Sequence, residues 1–102
     1  MPEFITIAAA ADLKSGERIV VEVKDHYIAV FNVGGTYYAI EDICTHDDGP
    51  LAEGELTEYV IECPRHGAQF DIRSGKNLSL IAPRPVARYE VRVENGQVQI
   101  AV

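Results

Sequence analysis

Only two cysteines occur among 102 residues, too few for the disulfide framework that staples small secreted folds. Positive charge is also scarce. Nine Lys and Arg stand against sixteen Asp and Glu, for a formal charge of -7. Such a surface repels phosphate backbones, which argues against a nucleic-acid partner and favours a basic protein surface. No apolar run approaches the length of a bilayer crossing, so no membrane span is expected. Met1-Pro2-Glu3 lacks the positive segment of a secretory leader, and the expectation is a cytoplasmic protein. No phosphate-cradling G-x-x-x-x-G-K-[ST] loop, dinucleotide fingerprint or recognisable Ser/His/Asp triad is present, so binding of NADH or flavin by this chain itself is not expected. Internal repeats, low-complexity tracts and linkers are missing too.

What remains is an ordinary globular mixture, 47% hydrophobic and 25% charged, sized for one domain near the lower limit of a self-sufficient core. Its texture is strand and turn. Phe4-Ile5-Thr6-Ile7 reads as a first strand. Ala8 to Ala11 offers at most a helical turn, ended by Lys14-Ser15-Gly16. From Arg18 to Lys24, Ile19, Val21 and Val23 alternate with Arg18, Glu22 and Lys24, the pattern of a half-buried strand. Tyr27 to Val33 is more continuously apolar and suits a central strand. Gly34-Gly35 forms a hairpin turn, and Tyr37 to Ile43 returns as the paired strand. Near the end, Tyr89, Val91 and Val93 alternate with polar residues, Asn95-Gly96 turns the chain, and Val98, Ile100 and Val102 alternate on the way back. Between these regular ends, glycine and proline recur, and only Tyr59 to Ile61 and Ala68 to Ile72 look like short strands. The expected fold is all-β: one domain over 1–102, an antiparallel base from 1–43 and 86–102, and a loop-rich insertion at 44–85. Loops on a rigid scaffold are where chemistry gathers.

Both cysteines and two of three histidines lie in that insertion. Cys44-Thr45-His46 and Cys63-Pro64-Arg65-His66 each supply one thiol and one imidazole, with 16 residues between His46 and Cys63. Three readings compete: buried structural cysteines with histidines nearby by chance, a structural zinc site, and an iron–sulfur cluster. Zinc accepts two Cys and two His, but its usual spacing groups like with like, whereas each knuckle here is mixed. A binuclear cluster with two thiolates on one iron and two imidazoles on the other accounts for the mixing, because each knuckle then hands one ligand to each iron.

The C-x-H and C-x-x-H pair, with the Cys-Pro-x-His-Gly form of the second knuckle, resembles the Rieske proteins. Leu51 and Gly54 match the family's L-x-x-G step, and Phe70-Asp71 with Ser74-Gly75 match F-D-x-x-[ST]-G. Pro83 stands where the family's proline loop covers the cluster. The likeness spans essentially the whole chain and is greatest toward soluble bacterial Rieske-type ferredoxins of aromatic-ring oxygenase systems. It implies the Rieske fold and one 2Fe–2S cluster on Cys44, His46, Cys63 and His66. It further implies one-electron transfer, with no catalytic residues in the chain. The implied donor is a flavin-containing, NADH-dependent reductase and the implied acceptor a terminal oxygenase, each docking transiently. The alternative is the small subunit of an assimilatory NADH-dependent nitrite reductase, a branch that often lacks the ligands.

The ligand set has an electrostatic consequence. With two thiolates and two neutral imidazoles the oxidised site is neutral, and adding an electron to it costs less than adding one to an already negative all-cysteine site. The surroundings oppose this. Where Rieske proteins of respiratory complexes carry a serine and a tyrosine that donate hydroxyl hydrogen bonds, this chain has Ala68 and Phe70. At the positions of their extra disulfide it has Gly49 and Arg65. A potential low in the Rieske range is therefore expected. Asp47 and Asp48, directly after His46, would favour its protonated ring, or else simply face solvent. His26, in the turn Lys24-Asp25-His26, reads as solvated rather than ligating, and the tyrosines as packing residues.

Overall fold

The computed structural model describes residues 3–43, 51–64, 67–78 and 85–102. Among the described residues ten strands follow one another: β1 (Phe4–Ala9), β2 (Arg18–Val23), β3 (His26–Val33), β4 (Thr36–Glu41), β5 (Glu55–Thr57), β6 (Val60–Glu62), β7 (Gln69–Asp71), β8 (Arg88–Tyr89), β9 (Val91–Glu94) and β10 (Gln97–Ala101). Among the described residues the helical content is one 3-10 turn, Ala10–Asp12. The expected all-β, antiparallel architecture is what the chain adopts. The strands form three sheets, ordered β1-β10-β9, β2-β3-β4-β8 and β5-β6-β7, and every ladder is antiparallel.

β3 is the strand on which the molecule is built, and its continuous apolar run has a direct cause. Ile28 and Val30 face one core with Leu13, Ala39, Val98 and Ile100. Ala29 and Phe31, on the opposite face, enter a second core with Ile40, Leu51, Ile61 and Phe70. A strand covered on both sides has no place for a polar alternation. Asn32 is the one polar residue of β3 buried there, at 4% exposure. Its amide is satisfied at both ends, donating to the Leu13 carbonyl at 2.8 Å and accepting from the Gly35 N–H at 2.8 Å, as a buried amide requires.

The turns obey the twist of the hairpins they close. Gly34 and Gly35 both take positive φ, 62° and 93°, and Asn95 and Gly96 do likewise at 54° and 74°. Lys24 and Asp25 also turn through positive φ, 51° and 68°, so β2 stops one residue short of the expected Lys24 and His26 opens β3.

Other local departures have physical reasons. β1 continues to Ala9, because Ala8 and Ala9 find partners in Val98 and Gln97 of β10. The helical turn starts only after it. β4 ends at Glu41 rather than Ile43, where Asp42 leaves the ladder and its N–H donates to the Tyr27 carbonyl at 2.8 Å. β5 was not expected from the sequence; three residues with a single apolar side chain carry no period, and only pairing with β6 makes them a strand. The run from Tyr89 to Val93 is shared between two sheets, β8 beside β4 and β9 beside β10. Val93 is 48% exposed despite its alternation, since β9 is an edge strand.

Candidate metal centre

The second knuckle is anchored by the β6–β7 hairpin. Cys63 directly follows β6 and is buried, at 1% exposure, beside Leu51, Ala68 and Phe70 in one core cluster. Its main chain is fully engaged: its N–H donates to the Ala68 carbonyl at 2.7 Å, and its carbonyl accepts from the Gly67 N–H at 3.0 Å. Gly67 takes φ 74°, a left-handed conformation that a side chain would strain. The hairpin thus holds the Cα of Cys63 at a fixed place at its root, and the thiol is free of any disulfide. A soft, buried, unbridged thiol at a loop root fits one ligand of a 2Fe–2S cluster.

Of the four expected ligands, Cys63 is the one within the described residues. Cys44, His46 and His66 lie outside them, as do Asp47, Asp48, Gly49, Pro50, Arg65 and Pro83. Among the described residues no three His, Cys, Asp or Glu side chains gather in a metal-binding group.

The motif residues that flank the knuckles have distinct mechanical roles. Gly54 closes the turn after the first knuckle, donating its N–H to the Leu51 carbonyl at 2.9 Å. A Cβ at Gly54 would overlap the carbonyl oxygen of Glu62, the residue before Cys63. That is why the L-x-x-G step ends in glycine. Leu51 is fully buried beneath the turn. After β7, Asp71 organises the next turn. Its carbonyl accepts from Gly75 N–H at 2.7 Å, and its carboxylate accepts from Arg73 N–H at 2.9 Å and from the Arg73 guanidinium at 3.0 and 2.9 Å. The hydrogen bond from the Arg73 side chain holds the Asp71 carboxyl below the usual carboxylate range, partly opposed by its desolvation. Gly75, at φ 79°, lies so close to Val86 that a Cβ would meet its carbonyl oxygen. The Gly75 carbonyl accepts from Val86 N–H at 2.9 Å. Ala68 and Phe70 are both fully buried and present no hydroxyl to the surroundings of Cys63.

Two side chains outside the expected set also reach this region. By alternation Arg18 belongs to the polar face of β2. Its Nη1 instead donates to the carbonyls of Ala52 at 2.8 Å and Gly54 at 2.7 Å. Asp42 falls within the strand expected from Tyr37 to Ile43. Its Oδ1 accepts from the Ala52 N–H at 2.6 Å. Period-two alternation distinguishes faces of a strand, and it carries no signal for a long side chain that leaves its own sheet. His26 remains about half exposed and pairs with Glu41, Nδ1 to Oε1 at 2.8 Å. Tyr89, whose ring centroid is 6.3 Å from that of His26, has its phenol pushed up by burial and, secondarily, by the charge of Glu41.

Antiparallel sheets, a glycine-braced turn and a buried free cysteine at a hairpin root define a β scaffold that offers a soft ligand. The Rieske [2Fe-2S] domain family matches residues 3–90, and the chain belongs to that family, whose cofactor is a Rieske-type 2Fe–2S cluster. Among relatives, the 3-phenylpropionate/cinnamic acid dioxygenase ferredoxin subunit of Shigella flexneri serotype 5b (strain 8401) is 42% identical over 91 residues, 88% of this chain and 85% of that protein. Among solved structures, a chain from the complex of reduced oxygenase and oxidized ferredoxin in carbazole 1,9a-dioxygenase superimposes with a TM-score of 0.89 at 38% identity, covering 96% of this chain and 92% of that one. A putative NADH-dependent nitrite reductase small subunit from Mycobacterium tuberculosis superimposes with a TM-score of 0.88 over 100% of this chain and 96% of that one. At 20% identity that likeness speaks to the fold alone.

Proposed function

We propose that the chain is a one-electron carrier of an aromatic-ring oxygenase system. In this reading Cys44 and Cys63 hold one iron of the cluster and His46 and His66 the other, within an insertion spanning 44–85. When bound, such a cluster supplies reversible uptake and release of a single electron. The chain itself makes and breaks no bond. Cys63 contributes a thiolate from a hairpin root whose backbone is already fixed, so little rearrangement accompanies the change of charge. The buried, hydroxyl-free side chains of Ala68 and Phe70 leave added negative charge less stabilised, which favours a carrier that gives its electron up readily. The donor in this reading is a flavin-containing, NADH-dependent reductase and the acceptor a terminal oxygenase.

The observation that carries the proposal is the buried, unbridged Cys63 at the β6–β7 hairpin root, in a chain 42% identical to a dioxygenase ferredoxin subunit. The test is direct. Purified or anaerobically reconstituted protein should contain iron and acid-labile sulfide in equal amounts and show a Rieske electron paramagnetic resonance signal on reduction. Replacing Cys63 with serine should abolish that signal. Reduced protein should then be reoxidised by a ring-hydroxylating oxygenase in the presence of its substrate. A colourless protein that holds zinc instead would refute the reading.

A further inference from the structure

We propose that Arg18 and Asp42 are positioning residues for the cluster: together they fix the distance between the roots of the two Cys/His knuckles. This inference rests on the ligand assignment proposed above. Asp42 stands two residues before Cys44, and its own N–H is tied to the Tyr27 carbonyl of the base sheet at 2.8 Å. Its carboxylate then reaches across the chain to the Ala52 N–H at 2.6 Å, joining residues on either side of the first knuckle. Arg18 grips the same turn through its carbonyls, donating to those of Ala52 and Gly54. It is rooted in the base sheet, where it pairs with Phe31 in the β2–β3 ladder, and its guanidinium lies 5.6 Å from the Phe31 ring centroid. Gly54 in turn presses its backbone against the Glu62 carbonyl, one residue before Cys63.

These contacts make a continuous connection. It runs from the root of the first knuckle through Asp42 and Ala52 to Gly54, then to Glu62 and the root of the second. Arg18 ties its midpoint to the base. A cluster shared by two loops is sensitive to their relative displacement, because each iron takes a ligand from each loop. Both residues act through the peptide groups of the 51–54 turn. Both also grip Ala52, one at its N–H and the other at its carbonyl, so their effects should be coupled rather than additive.

The experiment compares reconstituted wild type with Asp42→Ala, Arg18→Met and the double variant, and with the conservative Asp42→Asn and Arg18→Lys. Asparagine keeps an acceptor oxygen and lysine keeps a donor; alanine and methionine keep neither. The readouts are the rate of cluster bleaching in an anaerobic chelator challenge, the linewidth of the reduced-state resonance, and the reduction potential. Asp42→Ala should bleach roughly five-fold faster than wild type, the effect of losing about one hydrogen bond, and Arg18→Met, which loses two, faster still, both with broadened lines. The double variant should fall short of the product of the two, and the conservative variants should stay near wild type. Asp42→Ala leaves both base sheets untouched and decides the matter if Arg18→Met fails to fold. If the alanine and methionine variants lose thermal stability while bleaching rate, linewidth and potential match wild type, the residues are merely structural and the inference is overturned alone. A wild type that takes up no iron or sulfide overturns the ligand assignment and this inference with it.

Discussion

Ala68 and Phe70 are the residues whose chemistry matters most for what they omit. Both are fully buried in the core that holds Cys63, and neither has a donor. Hydroxyl groups introduced there would stabilise the reduced, more negative state over the oxidised one. Protein film voltammetry on Ala68→Ser combined with Phe70→Tyr should show a raised potential, by roughly 60 mV for each hydroxyl that favours reduction ten-fold. No rise would remove the explanation of a low potential by missing donors. Asp71 makes a second prediction at this scale. Its carboxyl is held below its unfolded value by the Arg73 hydrogen bond. Its contribution is therefore present above the unfolded pKa of about 3.9 and disappears as pH falls through the lower folded value. Asp71→Asn keeps an acceptor for the Arg73 N–H and removes the charge. It should unfold at lower urea concentration than wild type at pH 7, and the gap should close in acid. Because Arg73 is largely exposed, the gap should be small and shrink with salt. A gap independent of pH would mean that the charge contributes nothing.

Among the elements, the turn after β7 shows how a sequence motif becomes geometry. Asp71 gathers the turn, and Gly75 brings it against Val86, the start of the return to the base. Gly75→Ala would combine a strained φ with a backbone overlap. It should destabilise the fold by about 2 kcal/mol or more, lowering the melting temperature by roughly 10 °C. Thermal melts of the cluster-free and cluster-loaded forms would check this, and an unchanged melt would show that the close approach is not needed. The longer elements were legible in the sequence because their cause is local. β2 and β10 alternate, β3 is apolar without a break from Tyr27 to Phe31, and Gly34-Gly35 and Asn95-Gly96 suit the turns they make. β5 was not legible, and neither was the split between β8 and β9, because both exist only through partners distant in sequence. The site was legible in kind: a Cys and a His in each knuckle require no tertiary information to suggest soft-metal chemistry. Arg18 and Asp42 were not, since an arginine on an alternating strand has the same pattern whether it faces water or crosses to another sheet.

For the whole molecule, charge governs encounter. A formal charge of -7 on 102 residues gives an acidic carrier, and Glu55, Glu58 and Glu62 line one open groove beside the β5–β6 hairpin. Complementary basic surfaces on donor and acceptor would speed association through long-range attraction, which salt screens over about 10 Å at 0.1 M. Steady-state electron transfer to an oxygenase under limiting carrier should therefore drop steeply between low and high ionic strength, through slower association. A salt-insensitive rate would show that docking does not use this charge. The sequence by itself determined the charge, the alternation of the strands, the turns and which side chains are proposed as ligands, because each follows from residue type and short-range spacing. Only the tertiary structure decided that β3 is covered on both faces, that Gly54 and Gly75 are places where backbone meets backbone, and that Arg18 and Asp42 converge on one turn. Those depend on pairs of groups well apart in the chain, such as Arg18 and Gly54 at a separation of 36 residues, and no local pattern encodes which distant partner a side chain will reach.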